Sequence, residues 1–153
     1  MMNFFKYQGT GNDFIMVDNR SGEWNNLSNK TITALCDRRF GIGADGLIKI
    51  NSAENVDFEV DYYNSDGSKS FCGNGARCSV AFAHFLKIFN DSKTVFTAID
   101  GLHEAEIKGE IVKLKMSDVK TILKDGNDSV LNTGSPHFIK YVNDIADVNV
   151  FEE

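Results

Sequence analysis

One stretch of this chain leaves few ways to fold it. Between Gly75 and Phe89, Ala76, Val80 and Ala83 recur at helical spacing, and Phe82, Phe85, Leu86 and Phe89 widen the stripe. A helix apolar over so much of its circumference is stable only when buried. Almost everything around it reads as strand. Residues 4–7 and 14–18 are short strands about the turn Gly9-Thr10-Gly11-Asn12, and residues 47–50 form another. Residues 56–63 alternate in strand fashion, with Phe58, Val60 and Tyr62 on one face. Three more strands, at 94–98, 103–108 and 111–116, follow the helix, the last two joined by the hairpin signal Gly109-Glu110. A second helix starts at Ser28 as N-cap and runs through Ile32, Leu35 and Cys36 to about Arg39. This pattern predicts an α+β fold in which a curved sheet wraps the 75–89 helix. Residues 1–119 form the expected first domain. The polar stretch Lys120 to Ser129 reads as a linker. A strand near Leu131 and another from Phe138 to Val142 make 120–153 the incomplete start of a second domain.

At 153 residues and 42% apolar content the chain can bury a core. Its net charge of −6 argues against nucleic acid and anionic membrane as partners. No apolar run approaches membrane-spanning length, and the N-terminus lacks the layout of a signal peptide. Three cysteines, Cys36, Cys72 and Cys78, show no disulfide-framework spacing. A reducing cytoplasm is the expected location.

Chemistry concentrates around Cys72. The segment from Asn64-Ser65-Asp66-Gly67 to Cys72-Gly73-Asn74-Gly75-Ala76-Arg77 runs from a turn into the start of the apolar helix. Glycines there let backbone N–H groups approach a ligand, and a helix N-terminus favours both a bound carboxylate and the thiolate form of a cysteine. Such a thiol suits proton transfer. Cys36 and Cys78 lie on apolar helix faces and read as buried small hydrophobes. His84 reads as a residue of the buried helix, and His103 as a strand residue with no cluster around it. Cys72, Cys78 and His84 are six residues apart, about 120° around a helix, and cannot converge on one ion, so no metal site is expected. The Gly41 to Gly46 loop lacks the Lys-Ser/Thr ending of a phosphate-binding loop. A Cys–His hydrolase pair, Cys72 with His137 or His103, remains a second enzymatic reading.

Four blocks in order carry a resemblance: Gly11-Asn12-Asp13-Phe14, Arg39 to Gly46, Asn64 to Gly67, and Cys72 to Cys78. Together they resemble the N-terminal half of diaminopimelate epimerases, and Gly134-Ser135-Pro136-His137 resembles the opening of that family's second half. Thr10 to Ile15 also echoes Thr133 to Ile139 within this chain. The resemblance implies a barrel-like sheet around a central helix, repeated with pseudo-twofold symmetry. It implies a cofactor-independent epimerase that interconverts LL- and meso-diaminopimelate for lysine and peptidoglycan synthesis. One cysteine acts as base and another as acid. Carried over by position, Cys72 is one of the two thiols. Gly73 and Asn74 offer N–H groups to the reacting carboxylate, Asn12 and Asn64 contact substrate, and His137 influences the thiols. A homodimer is the implied assembly.

Three departures stand out. Gly46 occupies a position where the family commonly has Gln. Ser135 stands where Asn is common. The second Cys-Gly-Ser/Thr-Gly motif and its preceding Glu-Arg pair are absent, so the expectation is a chain lacking its second catalytic half and inactive alone. The alternatives are a non-catalytic half-domain that binds a partner chain and a proline or hydroxyproline racemase relative.

Overall fold

The computed structural model of the chain describes residues 3–149. These form two compact units that divide after Met116. The first contains β1 (Phe5–Gly9), β2 (Asn12–Asp18), α1 (Asn29–Cys36), β3 (Gly46–Asn51), β4 (Phe58–Asn64), α2 (Gly73–Phe85), β5 (Lys93–Ala98), β6 (Gly101–Lys108) and β7 (Ile111–Leu114). Its seven strands lie in sequence order in one sheet. Pairings are antiparallel except β2 with β3 and β4 with β5, which are parallel. The two parallel joins are the two places where a helix makes the crossover, as a parallel connection requires.

The helices cover opposite faces. α1 packs Ile32 and Cys36 against Ile15, Val17, Leu47 and Tyr63. α2 packs Ala76, Cys78, Val80, Phe82 and Ala83 against Phe14, Met16, Ile48, Ile50, Phe58 and Val60. β2 and β3 are therefore covered on both sides, which is why Phe14-Ile15-Met16-Val17 is a continuous apolar run rather than an alternating one. α2 touches both β1 and β7, the two ends of the sheet, so the sheet curls around it as a half-barrel. The sequence predicted this wrapping.

Several boundaries differ from the expectation. α2 begins at Gly73, with Cys72 as N-cap, and ends at Phe85 rather than Phe89. Lys87 adopts a left-handed φ of 57°. The Ile88 N–H then bonds Ala83 O and the Lys87 N–H bonds His84 O, a Schellman stop that the apolar stripe concealed. Phe89 turns back into the core and stacks on Phe58, whereas Phe85 and His84 are exposed. α1 stops at Cys36 because the Asp37 carboxylate accepts N–H bonds from Arg39 and Phe40 and folds a turn there.

The second unit holds β8 (Ile122–Asp125), β9 (Asp128–Asn132), β10 (Pro136–Ile139) and a short 3-10 turn at Ile145–Asp147. The strands form an antiparallel sheet in the order β10–β9–β8. The stretch read as a linker thus contains a hairpin, turned by Gly126 at φ 59°. Its polar composition hid the Ile122-Leu123 pair. The last strand closes at Ile139, earlier than expected. No described helix is long and apolar enough to cross a membrane.

Candidate active site

The open end of the half-barrel, where α2 begins, collects the motif blocks. Cys72 is the N-cap residue of α2, with extended φ and ψ of −134° and 113°. Its Sγ accepts the Gly75 N–H at 3.4 Å. The thiol therefore does what Ser or Asp does at most helix starts. The next two N–H groups, of Gly73 and Asn74, have no acceptor among the described residues and lie beside the thiol. Two free donors at the positive end of a thirteen-residue helix have the chemistry to hold a carboxylate.

The β1–β2 hairpin brings Asn12 to this point. Thr10 and Gly11 both take positive φ, 56° and 90°, the two-residue turn that suits strand twist. Asn74 Nδ2 donates to Asn12 Oδ1 at 2.6 Å. Asn12 Nδ2 donates to Asp45 Oδ2 at 3.0 Å. Asn74 Oδ1 accepts from Arg77 and, at 3.4 Å, from Thr10. Asp45 also accepts the Asp13 N–H, and Arg38 bridges Asp13 and Asp45 at 2.7 and 2.8 Å. Lys6 completes the cluster on Asp13. The bond from Arg38 holds the Asp13 carboxyl far below the usual carboxylate range, with Lys6 adding to it. Asp45 is lowered first by its bond from Asn12. A chain of hydrogen bonds and ion pairs thus links three of the four motif blocks and orients the Asn74 side chain.

Asn64 joins from β4. The Ser65 N–H bonds Asp45 O, tying its turn to the glycine loop. Its amide, however, is committed. Nδ2 donates to Ser68 and Ser70 hydroxyls at 3.0 and 3.1 Å, and Oδ1 accepts from Tyr62 at 2.9 Å. Of the expected site residues, Cys72, Gly73, Asn74 and Asn12 come together directly, and Asn64 lies at the neighbouring corner. His137 belongs to the second unit, where its Nδ1 bonds Ser135 O at 2.7 Å.

His103 lies in strand β6, as read, and the structure adds its surroundings. It is 4% exposed and stacks on Phe71 at 4.5 Å and on Phe96 at 5.3 Å, with Nε2 bonded to Asp100 at 2.8 Å. A period-two burial pattern puts it inward, but its partners lie in other strands and loops. Sequence reasoning also gave no role to Arg38, Asp13, Asp45 or Arg77. All four lie in or beside quoted motifs, but no local signal shows that Arg38 faces two acids. Burial pushes the Cys78 thiol up to about 11, and burial also raises Cys36. No group of three or more metal-ligating side chains occurs among the described residues.

The sequence model of the diaminopimelate epimerase family matches residues 4–122. A diaminopimelate epimerase of Flavobacterium psychrophilum is 49% identical over 99% of this chain and 60% of its own length. That of Chlorobaculum tepidum is 45% identical over 95% of this chain and 59% of its own length. The chain therefore spans about 60% of the length of these relatives. Among solved structures, a probable proline racemase from Agrobacterium radiobacter K84 aligns with a TM-score of 0.58 at 13% identity, covering 90% of this chain and 51% of that one. A phenazine biosynthesis protein of Bacillus anthracis aligns with a TM-score of 0.54 at 12% identity, over 85% and 39% of the two chains. These last two likenesses establish the fold alone.

Proposed function

Because the chain belongs to the diaminopimelate epimerase family, we propose that it supplies one of the two proton-transfer faces of an epimerase interconverting LL- and meso-diaminopimelate. The observation that carries this reading is the N-terminus of α2, where a thiol and two free N–H donors sit side by side. The substrate α-carboxylate docks on the Gly73 and Asn74 N–H groups. Cys72 Sγ takes the α-proton, so that an S–H bond forms as the C–H bond breaks. The electron pair moves into the carboxylate as an enediolate, whose growing charge the same N–H groups stabilise. No cofactor is needed as electron sink if those donors are fixed beforehand, and the Asn12–Asp45–Arg38 chain fixes Asn74.

Inversion needs a proton from the opposite face. Neither remaining cysteine of this chain can give it. Cys36 lies behind the sheet with α1, and Cys78 is buried one and two-thirds turns further along α2. In this reading a second thiol serves the opposite face, and His137 influences the ionisation of the thiols.

Alkylation at about pH 7, followed by mass spectrometry, tests the assignment. Cys72 should react first, because Cys36 and Cys78 are buried with raised thiol pKa values. Diaminopimelate should protect it, and Cys72→Ser should abolish epimerisation by the full-length protein. Indifference of Cys72 to diaminopimelate would overturn the reading.

A further inference from the structure

A column of stacked aromatic rings runs through the first unit, and one of its rings is polar. Phe71 stacks on His103 at 4.5 Å with the ring planes 4° apart, and His103 stacks on Phe96 at 5.3 Å. Phe96 continues onto Phe58 at 5.0 Å, and Phe58 onto Phe89 at 6.4 Å. Strand register builds part of the column, because Phe96 and His103 are cross-strand partners of β5 and β6. A phenylalanine at 103 would fill the same place without desolvating a polar group. Burying an imidazole, here 4% exposed, is costly unless it is hydrogen-bonded. Its partner is Asp100, whose Oδ1 lies 2.8 Å from Nε2.

That bond reaches the wall of the candidate active site. β5 and β6 pair as far as Ala98 with Gly101, so Ile99 and Asp100 are the two residues of the turn between them. Ile99 is 60% exposed and walls a small hollow together with Phe71 and Cys72. On the other side of His103, Phe71 immediately precedes Cys72, and residues 70–72 lie outside both strand and helix. The start of α2 fixes Cys72 from its C-terminal side. The stacked Phe71 ring holds the chain that leads to it. One buried ring thus secures both the approach to the thiol and the apolar wall beside it.

We infer that His103 is a positioning residue for Cys72, acting through its stack on Phe71 and its bond to Asp100. Proton transfer depends steeply on how the thiol is aimed, and misplacement by about 1 Å can slow such a step about 100-fold. The inference deepens the epimerase reading and rests on it for the reaction concerned. The histidine is there, rather than a phenylalanine, because only a polar ring can stack on Phe71 and tie the turn that carries Ile99.

The test is Asp100→Ala in the full-length protein. Asp100 lies in an exposed turn, so the substitution unties the turn and leaves the ring column in place. Cys72 alkylation by iodoacetamide is timed by mass spectrometry, and epimerisation of diaminopimelate is resolved into kcat and KM. Alkylation should be several-fold faster, because Ile99 no longer closes that side of the thiol. The kcat should fall about tenfold with KM unchanged, since the Gly73 and Asn74 donors are untouched. Asp100→Asn, which keeps an acceptor for Nε2, should recover most of both effects. His103→Phe, which keeps the stack and loses the bond, should match Asp100→Ala. Unchanged Cys72 alkylation in both Asp100→Ala and His103→Phe, or an unchanged kcat in an active enzyme, overturns the inference. Faster alkylation in variants of a protein whose unmutated form does not epimerise diaminopimelate would leave the positioning role standing and count against the epimerase reading alone.

Discussion

Single residues in this site act through the company that sheet register gives them. Asp13 is a clear case. Its carboxylate takes Arg38 and Lys6 together and stays ionised far below the usual range. The sign of the pH dependence follows. A depressed folded-state pKa contributes stability that is complete above the unfolded value of about 3.9 and is lost as pH falls from there through the folded value. Asp45, lowered by Asn12, works in the same direction. Asp13→Asn should therefore lower the urea midpoint at neutral pH and flatten its fall between neutrality and about pH 3. An unchanged acid slope would mean that the cluster carries no such linkage. The grouping of Cys72, Gly73 and Asn74 at one helix start was legible in the sequence, because that motif is local, whereas the Asn12–Asn74 bond spans 62 residues. Arg38 and Asp45 were not, because their value depends on a neighbour far along the chain. The stacking of His103 was hidden for the same reason, since its ring partners sit on β5 and in the segment before α2.

At the scale of elements, local chemistry set the starts better than the ends. The Ser28 N-cap of α1 was read correctly, and its hydroxyl accepts the Thr31 N–H at 3.1 Å. The end of α2 was overrun, because the apolar stripe continues through Phe89 while the backbone has already turned. The stop works despite its sequence. Lys87 holds the left-handed position that glycine fills at little cost. Lys87→Gly should stabilise the first unit by about 1 kcal/mol, seen as a higher urea midpoint with unchanged slope. A loss of stability would show that the lysine side chain contributes more than its backbone strain costs. β8 was missed because strand readings rest on apolar alternation, and Ile122-Leu123-Lys124-Asp125 is exposed throughout.

In the molecule as a whole, the two units differ in what protects them. β2 and β3 lie between two helices, with Phe14, Ile15, Met16, Val17, Leu47 and Ile48 fully buried. The three-stranded sheet of the second unit leaves Ile122, Leu123, Val130 and Phe138 exposed and buries Ser129 alone among its described strand residues, and a small sheet with so little cover is marginal by itself. Native-state hydrogen exchange should rank the backbone accordingly, with β2–β3 amides slowest and β8–β10 amides faster by orders of magnitude. Matching rates would mean that the second unit has cover the described residues do not show. By itself the sequence determined the number of strands in the first unit, the burial of α2 inside a curved sheet and the family to which the motifs point. Periodicity, turn residues and short motifs act within neighbouring residues, and so can be read from the chain. Only the tertiary structure decided that Arg38 rather than Arg39 joins the acids, that the Asn64 amide is already occupied and that the His103 ring joins Phe71 to the β5–β6 turn. Those outcomes depend on the register between strands, which brings together residues that no local pattern connects.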